Sequence, residues 1–198
     1  FQASTGQSNC IPADAGHYVS ISAATVQTPC ATGTYQPNLG STYCNLASAG
    51  HYVDQTGQSS QIACAVGKFN QYYGSTSSSD CISANPGHYV DQIGQSSEIA
   101  CSPGSYNPNY GSITSSACLD SDAGYYVSNY GQSSQSICEL GTYQSIKGQT
   151  YCDNADAGYY VDNYGQSTQT PCSPGTYQSL TGQTSCDDAD AGYYVDST

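Results

Sequence analysis

The chain of 198 residues contains no Trp, no Met and no Arg, and Lys68 and Lys147 are its only basic residues beside fifteen Asp and Glu. The net charge is -13. Neutralising a phosphate backbone takes clustered Lys or Arg, so nucleic acid is excluded as a partner. Docking on an anionic membrane surface is disfavoured for the same reason. No apolar run reaches spanning length, so no membrane insertion is expected of this segment. The first residues, FQASTGQSNC, have neither a charged start nor an apolar stretch of the secretory type. No C-x-x-C pair is present to suggest zinc, and no N-x-[ST] signal to suggest N-linked sugar. The acidic surface instead keeps a Tyr-rich chain soluble.

Aliphatic residues are also scarce: Leu, Ile, Val and Phe together number 24 of 198. That is too few for an oil-drop core. What the chain does hold is eleven Cys and twenty Tyr. Cystines close loops covalently, and tyrosine rings bury large area while keeping the hydroxyl wet. Cysteine at this density implies an oxidising compartment, so the expected location is extracellular or secreted, at a cell surface.

The cysteines stand at 10, 30, 44, 64, 81, 101, 118, 138, 152, 172 and 186, at intervals alternating between 20 and either 14 or 17. Such regularity marks a tandem array. Its unit is shorter than the cysteine period, because G-x-[YF] occurs in both kinds of interval. CSPGTYQSLTGQTSC (172–186) aligns with ADAGYYVDNYGQSTQ (155–169): Gly175 with Gly158, Tyr177 with Tyr160, Gly182 with Gly165. The unit is thus about 17 residues, and Ala155 and Gln169 replace both cysteines together. Modules opening at Cys30, Cys64, Cys101, Cys138 and Cys172 alternate with modules opening at Ala13, Ala47, Ala84, Ser121, Ala155 and Ala189. The complete cysteine-free modules close with Gln27, Gln61, Glu98, Gln135 and Gln169.

Joint presence and joint absence favour disulfides within modules: Cys30–Cys44, Cys64–Cys81, Cys101–Cys118, Cys138–Cys152 and Cys172–Cys186. Cys10 is then unpaired within this segment, with Phe1 in the tyrosine slot of the same module. The opposite register, Cys10–Cys30 through Cys152–Cys172, is the alternative and strands Cys186. The array starts and stops mid-module, so 1–198 reads as a single repeat array, a piece of a longer polypeptide. A head-to-tail bond from Cys10 to another chain is the other explanation.

Runs such as TYQSL and YYVDNY precede a Gly, and polar runs such as QTSC follow it. Tyr and Val favour strands and Gly permits a tight turn, so each module reads as a small hairpin closing within the module. No helical period is present. The fold class is therefore small, disulfide-rich and mainly β: an elongated array of about twelve hairpin-like modules, alternately bridged and unbridged. Phe1, Tyr18, Tyr35, Tyr52, Phe69, Tyr89, Tyr106, Tyr126, Tyr143, Tyr160, Tyr177 and Tyr194 occupy one slot, and this aromatic row is assigned to packing between modules. Val19, Val53, Val90, Val127, Val161 and Val195 follow it only in unbridged modules, where they compensate for the missing cystine.

Two modules carry three extra residues, in GSTSSSDC (74–81) and GSITSSAC (111–118). These are solvent-facing insertions, and the candidate O-glycosylation sites are Ser75, Thr76, Ser77, Ser78, Ser79, Ser112, Thr114, Ser115 and Ser116.

The pattern C-x-x-G-x-Y, about seven residues, then G-x-x-x-C, as in CELGTYQSIKGQTYC (138–152), resembles the ephrin-receptor-like and tumour-necrosis-factor-receptor-like cysteine-rich repeats. The resemblance spans the whole chain. It implies first-to-last cysteine pairing, elongated extracellular rods, and a place in surface receptors, adhesive proteins or filaments. Those families usually place a further cysteine three residues after the closing one, where this chain has Ala13, Ala47, Ala84, Ser121, Ala155 and Ala189.

Catalytic patterns are missing. His17, His51 and His88 share a slot with Tyr125, Tyr159 and Tyr193, an exchange that a catalytic or metal-binding histidine would not tolerate. The clusters DNADAG and DDADAG fail the calcium-loop pattern because Ala stands where oxygen ligands are needed, leaving loosely bound calcium at most and no other cofactor. No nucleophile with a base at motif spacing occurs. The expectation is a non-enzymatic structural component of an extracellular fibre, filament or stalk, O-glycosylated and self-associating. The alternative is a receptor or adhesin ectodomain that binds its ligand at the inserted modules, through Lys68, Phe69, Tyr72 and Tyr73.

Overall fold

Among the described residues, each tyrosine-containing dipeptide after a module's first Gly forms a two-residue strand. In the computed structural model, which describes residues 1–4 and 8–192, His17–Tyr18 (β1) pairs antiparallel with Thr28–Pro29 (β2), through His17 opposite Pro29 and Tyr18 opposite Thr28. The pattern recurs at Thr34–Tyr35 (β3) with Asn45–Leu46 (β4), and on to Thr176–Tyr177 (β19) with Asp187–Asp188 (β20). Ten such two-stranded ribbons stand in tandem among the described residues. The fold is mainly β, small and disulfide-rich.

The return strand lies one step later than the sequence suggested. It is not the polar run QTSC but the dipeptide after the closing residue, as with Asp187–Asp188 after Cys186. The polar run instead leads out of a second turn, and the closing cysteine returns to within 5.8 Å, Cα to Cα, of its opening partner. Tyr194 and Val195, like Tyr193, lie outside the described residues.

Two-residue ribbons are too short to stand alone. Neighbouring modules hold them through backbone hydrogen bonds, four per step. Between modules 138–152 and 155–169, the Gly141 amide donates to the Val161 carbonyl (2.9 Å) and the Gln144 amide to Gln166 (3.1 Å). In return the Gly165 amide donates to Cys138 (2.9 Å) and the Ala155 amide to Gly141 (2.8 Å). The same four join module 13–27 to 30–44: Gly16 to Gln36, Val19 to Ser41, Gly40 to Ala13, Cys30 to Gly16. Because these bonds use backbone, they are indifferent to the alternation of side chains.

A second contact reaches two modules ahead. Gly50 has φ +82°, and a Cβ built on it would overlap the carbonyl oxygen of Gly94. Gly50 opens the turn of the unbridged module 47–61, and Gly94 belongs to the next unbridged module, 84–98. Gly33 meets Gly74 in the same way, bridged module on bridged module. Like therefore stacks on like, and the structural repeat is a pair of modules.

The chain divides into two compact units. One comprises Phe1–Asn85, Tyr89–Ile99 and Tyr110–Thr114; the other comprises Pro86–His88, Ala100–Asn109 and Ser115–Thr198. Each is built on the same repeat.

The buried positions are small and partly polar. Val53, Val90, Val127 and Val161 are buried with Ala13, Ala47, Ala84, Ala155 and the opening cysteines Cys30, Cys64, Cys101 and Cys138. No Leu or Ile is among the buried residues. In bridged modules the valine slot holds Gln36, Asn70, Asn107, Gln144 and Gln178, also buried. Apart from Gln2 and Val19, which are half-buried, the described residues of this slot are buried, and the aromatic row before it, Phe69 apart, is not. Tyr18, Tyr35, Tyr52, Tyr89, Tyr106, Tyr126, Tyr143 and Tyr160 are half-buried, Phe1 likewise, Tyr177 is exposed, and Phe69 alone is buried, against Ala84 and Val90.

Candidate functional site

Each module has a closure point where its opening and closing residues meet. In bridged modules the closure is covalent: Cys30–Cys44, Cys64–Cys81, Cys101–Cys118, Cys138–Cys152 and Cys172–Cys186. Cys10 carries a free thiol and is exposed. Around Phe1, the amide of Ile11 donates to the Phe1 carbonyl (2.7 Å) and that of Gln2 to Ala24 (3.0 Å), the latter matching the bonds from Val19 to Ser41 and from Gln144 to Gln166 that follow Tyr18 and Tyr143.

Unbridged modules close at the same point with a polar clasp. The Gln169 side-chain carbonyl accepts the Asp156 amide (2.6 Å), while its Nε2 donates to the Asp156 carboxylate (2.7 Å). Gln27 holds Asp14 by the same two bonds (2.7 and 2.6 Å), and Gln135 holds Asp122 (2.7 and 3.1 Å). Gln61 accepts the Ser48 amide (2.7 Å). In module 84–98 the polarity is reversed: the Glu98 carboxylate accepts both the Asn85 amide (2.7 Å) and the Asn85 Nδ2 (3.0 Å). An acid and an amide thus exchange places across the clasp. That acid–amide matching was present in the sequence and was the signal sequence reasoning missed.

Inside bridged modules the buried amide side chain meets its hydrogen-bonding needs locally. Gln144 donates to the Tyr151 carbonyl (3.0 Å) and accepts the Ile146 amide (3.0 Å); Gln36 and Gln178 do the same seven and two residues ahead. Modules with three extra residues use Asn instead. Asn70 donates to Ser75 Oγ (2.7 Å) and to the His51 carbonyl, and accepts the Tyr72 amide. Asn107 donates to the His88 carbonyl (2.9 Å). Gln goes with the 14-residue staple and Asn with the 17-residue one, a covariation within one chain. No buried side-chain polar atom among the described residues lacks a partner.

The insertions are ordered. Ser78–Asp80 and Ser115–Ala117 each make one turn of 3-10 helix, the first with a capping box between Ser77 and Asp80. Ser75 is removed from the glycan candidates, because it is buried and accepts from Asn70. Ser77 is half-buried and its oxygen accepts the Ser79 amide. Thr76, Ser78, Ser79, Thr114, Ser115 and Ser116 are exposed, and Ser112 is half-buried. Of the ligand-contact candidates, Lys68, Tyr72 and Tyr73 face solvent while Phe69 is buried.

The three histidines are structural. His51 Nδ1 lies 3.2 Å from the Ala49 carbonyl, and its ring faces Gly94 two modules on; His17 and His88 repeat this against Gly57 and Gly131. No cluster of three or more His, Cys, Asp or Glu suited to a metal occurs among the described residues. Asp14, Asp122 and Asp156 are instead engaged by their glutamines. Lys147 Nζ reaches Asp122 across one module step at 2.9 Å, with both side chains at least half exposed. The hydrogen bond from Lys147 holds the Asp122 carboxyl below its ordinary pKa, helped by Gln135, and Asp122 in turn raises Lys147. Partial burial pushes the Tyr143 phenol up, with smaller contributions from Asp156 and Asp153.

No family model matches the chain. No curated protein matches it either. What the residues make is a repeated closure, covalent or polar, with no helix among the described residues long and apolar enough to cross a membrane.

Proposed function

We propose that the chain is a structural component of an extracellular fibre, filament or stalk, a disulfide-stapled repeat array decorated with O-linked sugar on the exposed insertion residues. The observation that carries this reading is the uniformity of the joint. Each step between the complete modules from 13–27 to 172–186 uses the same backbone hydrogen bonds, whatever the side chains at the closure. A joint of that kind adds units without limit, as nearest-neighbour repeat proteins do. Five disulfides fit surroundings where thiols are oxidised. The resemblance of the C-x-x-G-x-Y pattern to receptor-type cysteine-rich repeats points to the same surroundings.

A ligand-binding ectodomain is the second reading, favoured by the adjacent exposed Tyr72 and Tyr73 in one inserted module. Electron microscopy of the native source separates the two. Filaments labelled by antibodies against the array are expected; labelled membranes without filaments would favour the ectodomain.

A further inference from the structure

Among the described residues, each second turn ends at a slot occupied by Gly or, once, by Ala23, and the two residues before that slot form the turn's tip. Fourteen large apolar side chains are at least 60% exposed, and ten of them stand at these tips. Nine of the ten described turns carry one. In one unit they are Ile21, Leu39, Tyr73, Ile93 and Tyr110; in the other, Tyr130, Ile146, Tyr164 and Leu180. Five of the chain's fourteen Leu and Ile are placed there, although aliphatic residues are scarce and no Leu or Ile is buried.

The turn itself does not require them. Gln55–Thr56 precedes Gly57, whose φ of +70° matches the +70° of Gly165 after Asn163–Tyr164. Polar tips therefore make the same turn, and the apolar ones need another reason.

We propose that the tips are a lateral interface between two copies of this chain, a proposal that rests on the fibre reading above. One tip offers roughly 100–150 Å² of apolar surface, too little to hold a partner alone. Because like stacks on like, tips of one class engage together: Leu39, Tyr73 and Tyr110 in one unit offer on the order of 300–450 Å² of apolar surface, and flanking residues supply the rest of the roughly 800 Å² per partner of a stable interface. A partner engages several only if its own contacts recur at the module spacing, and a second copy meets that condition by construction. Each further tip then binds as an intramolecular event. The charge of -13 on each copy opposes the approach, so association strengthens as salt screens it.

The test is sedimentation equilibrium of the full chain carrying Cys10→Ser, which removes mixed disulfides, from low to high NaCl. Reversible association that tightens with salt is expected. Ile93→Ser, Tyr130→Ser and Tyr164→Ser, all at exposed sites, each weaken it roughly tenfold, and Thr56→Tyr, which supplies the missing tip, tightens it by a similar factor. Unchanged melting temperatures confirm that the variants fold. A chain that stays monomeric at every salt concentration overturns the proposal, as does association indifferent to these four substitutions. Binding of a different macromolecule by a monomeric chain overturns it too. If filaments persist in material lacking the tips, the interface fails while the fibre reading stands; if the native source shows no filaments, the fibre reading itself fails.

Discussion

Bridged and unbridged modules share a backbone and differ in how they close it. Module 138–152 uses a disulfide at the closure and a buried Gln144 that hydrogen-bonds within its own module. Module 155–169 uses a Gln–Asp clasp at the closure and a buried Val161. The module with the covalent tie tolerates a polar interior, because the tie removes entropy from the unfolded chain and the amide finds its partners locally. The module without it draws on apolar burial, worth about 1.5–3 kcal/mol for a valine. Stability is thus reached by two routes through one fold, and alternation leaves no two clasped modules adjacent.

The comparison breaks most sharply if the covalent tie is removed. Cys138→Ser with Cys152→Ser should cost about 3 kcal/mol in the chain-entropy account. Urea melts followed by tyrosine fluorescence measure it; a cost below that of a polar clasp would mean the staple is redundant. The converse is to turn a clasped module into a bridged one. Ala155→Cys with Gln169→Cys should form a sixth disulfide, seen as loss of two free thiols by mass, with a net gain of about 2 kcal/mol once the lost clasp is offset. Persistent free thiols would show that the closure points of the two classes do not superimpose.

A third experiment addresses the reversed clasp. Asn85→Asp sets a second carboxylate against Glu98 and should lose about 1 kcal/mol, and adding Glu98→Gln should restore it by recreating the pairing of Asp156 with Gln169. Additive losses in that double-mutant cycle would dismiss the clasp as a closing device.

Ala23 stands in the second-turn slot that glycine holds in every other described module, at φ +58°. Ala23→Gly should therefore stabilise by up to about 1 kcal/mol in thermal melts, since the left-handed conformation costs an L-residue but not glycine. The smallest effect is expected at the exposed ion pair. Asp122, held low by Lys147, contributes stability above its unfolded pKa that is lost as pH falls through its folded one. Lys147, held high by Asp122, contributes below its unfolded pKa and loses that contribution as pH rises through its folded one. Lys147→Ala should hardly move the melting temperature at neutral pH, and any shift should vanish in high salt.

Much of this architecture was legible because it recurs. The cysteine intervals and the paired loss of Ala155 and Gln169 pointed to the module, its alternation and closure within it. The stacking of Gly50 on Gly94 was not legible, since contact between modules two apart leaves only a glycine in each, and glycines here also serve turns. The clasp was visible as the acid–amide exchange between Asp156–Gln169 and Asn85–Glu98, but a residue in place of cysteine reads first as an absence. The aromatic row was assigned to packing between modules, yet Tyr160 is only half-buried, while Val161, assigned to compensate for the missing cystine, is the buried one. The strand places that ring half-buried and turns its small neighbour inward, as alternate side chains do. Ser75 looked like loop in a Ser-rich run; only the Asn70 amide shows why it is buried.

The alternation of closures also sets how the chain would respond to tension. A pulled clasped module has nothing covalent across its loop, so its roughly 17 residues can run out to roughly 60 Å. A stapled module keeps the residues between its cysteines out of the load path and lengthens by only the few that lie outside. Extension is therefore graded: clasped modules yield as a compliant reserve, and the cystines then cap the contour length. A strand assembled from such chains would stretch a long way before meeting a hard stop, and a reducing agent would move that stop outward by one hidden loop at a time.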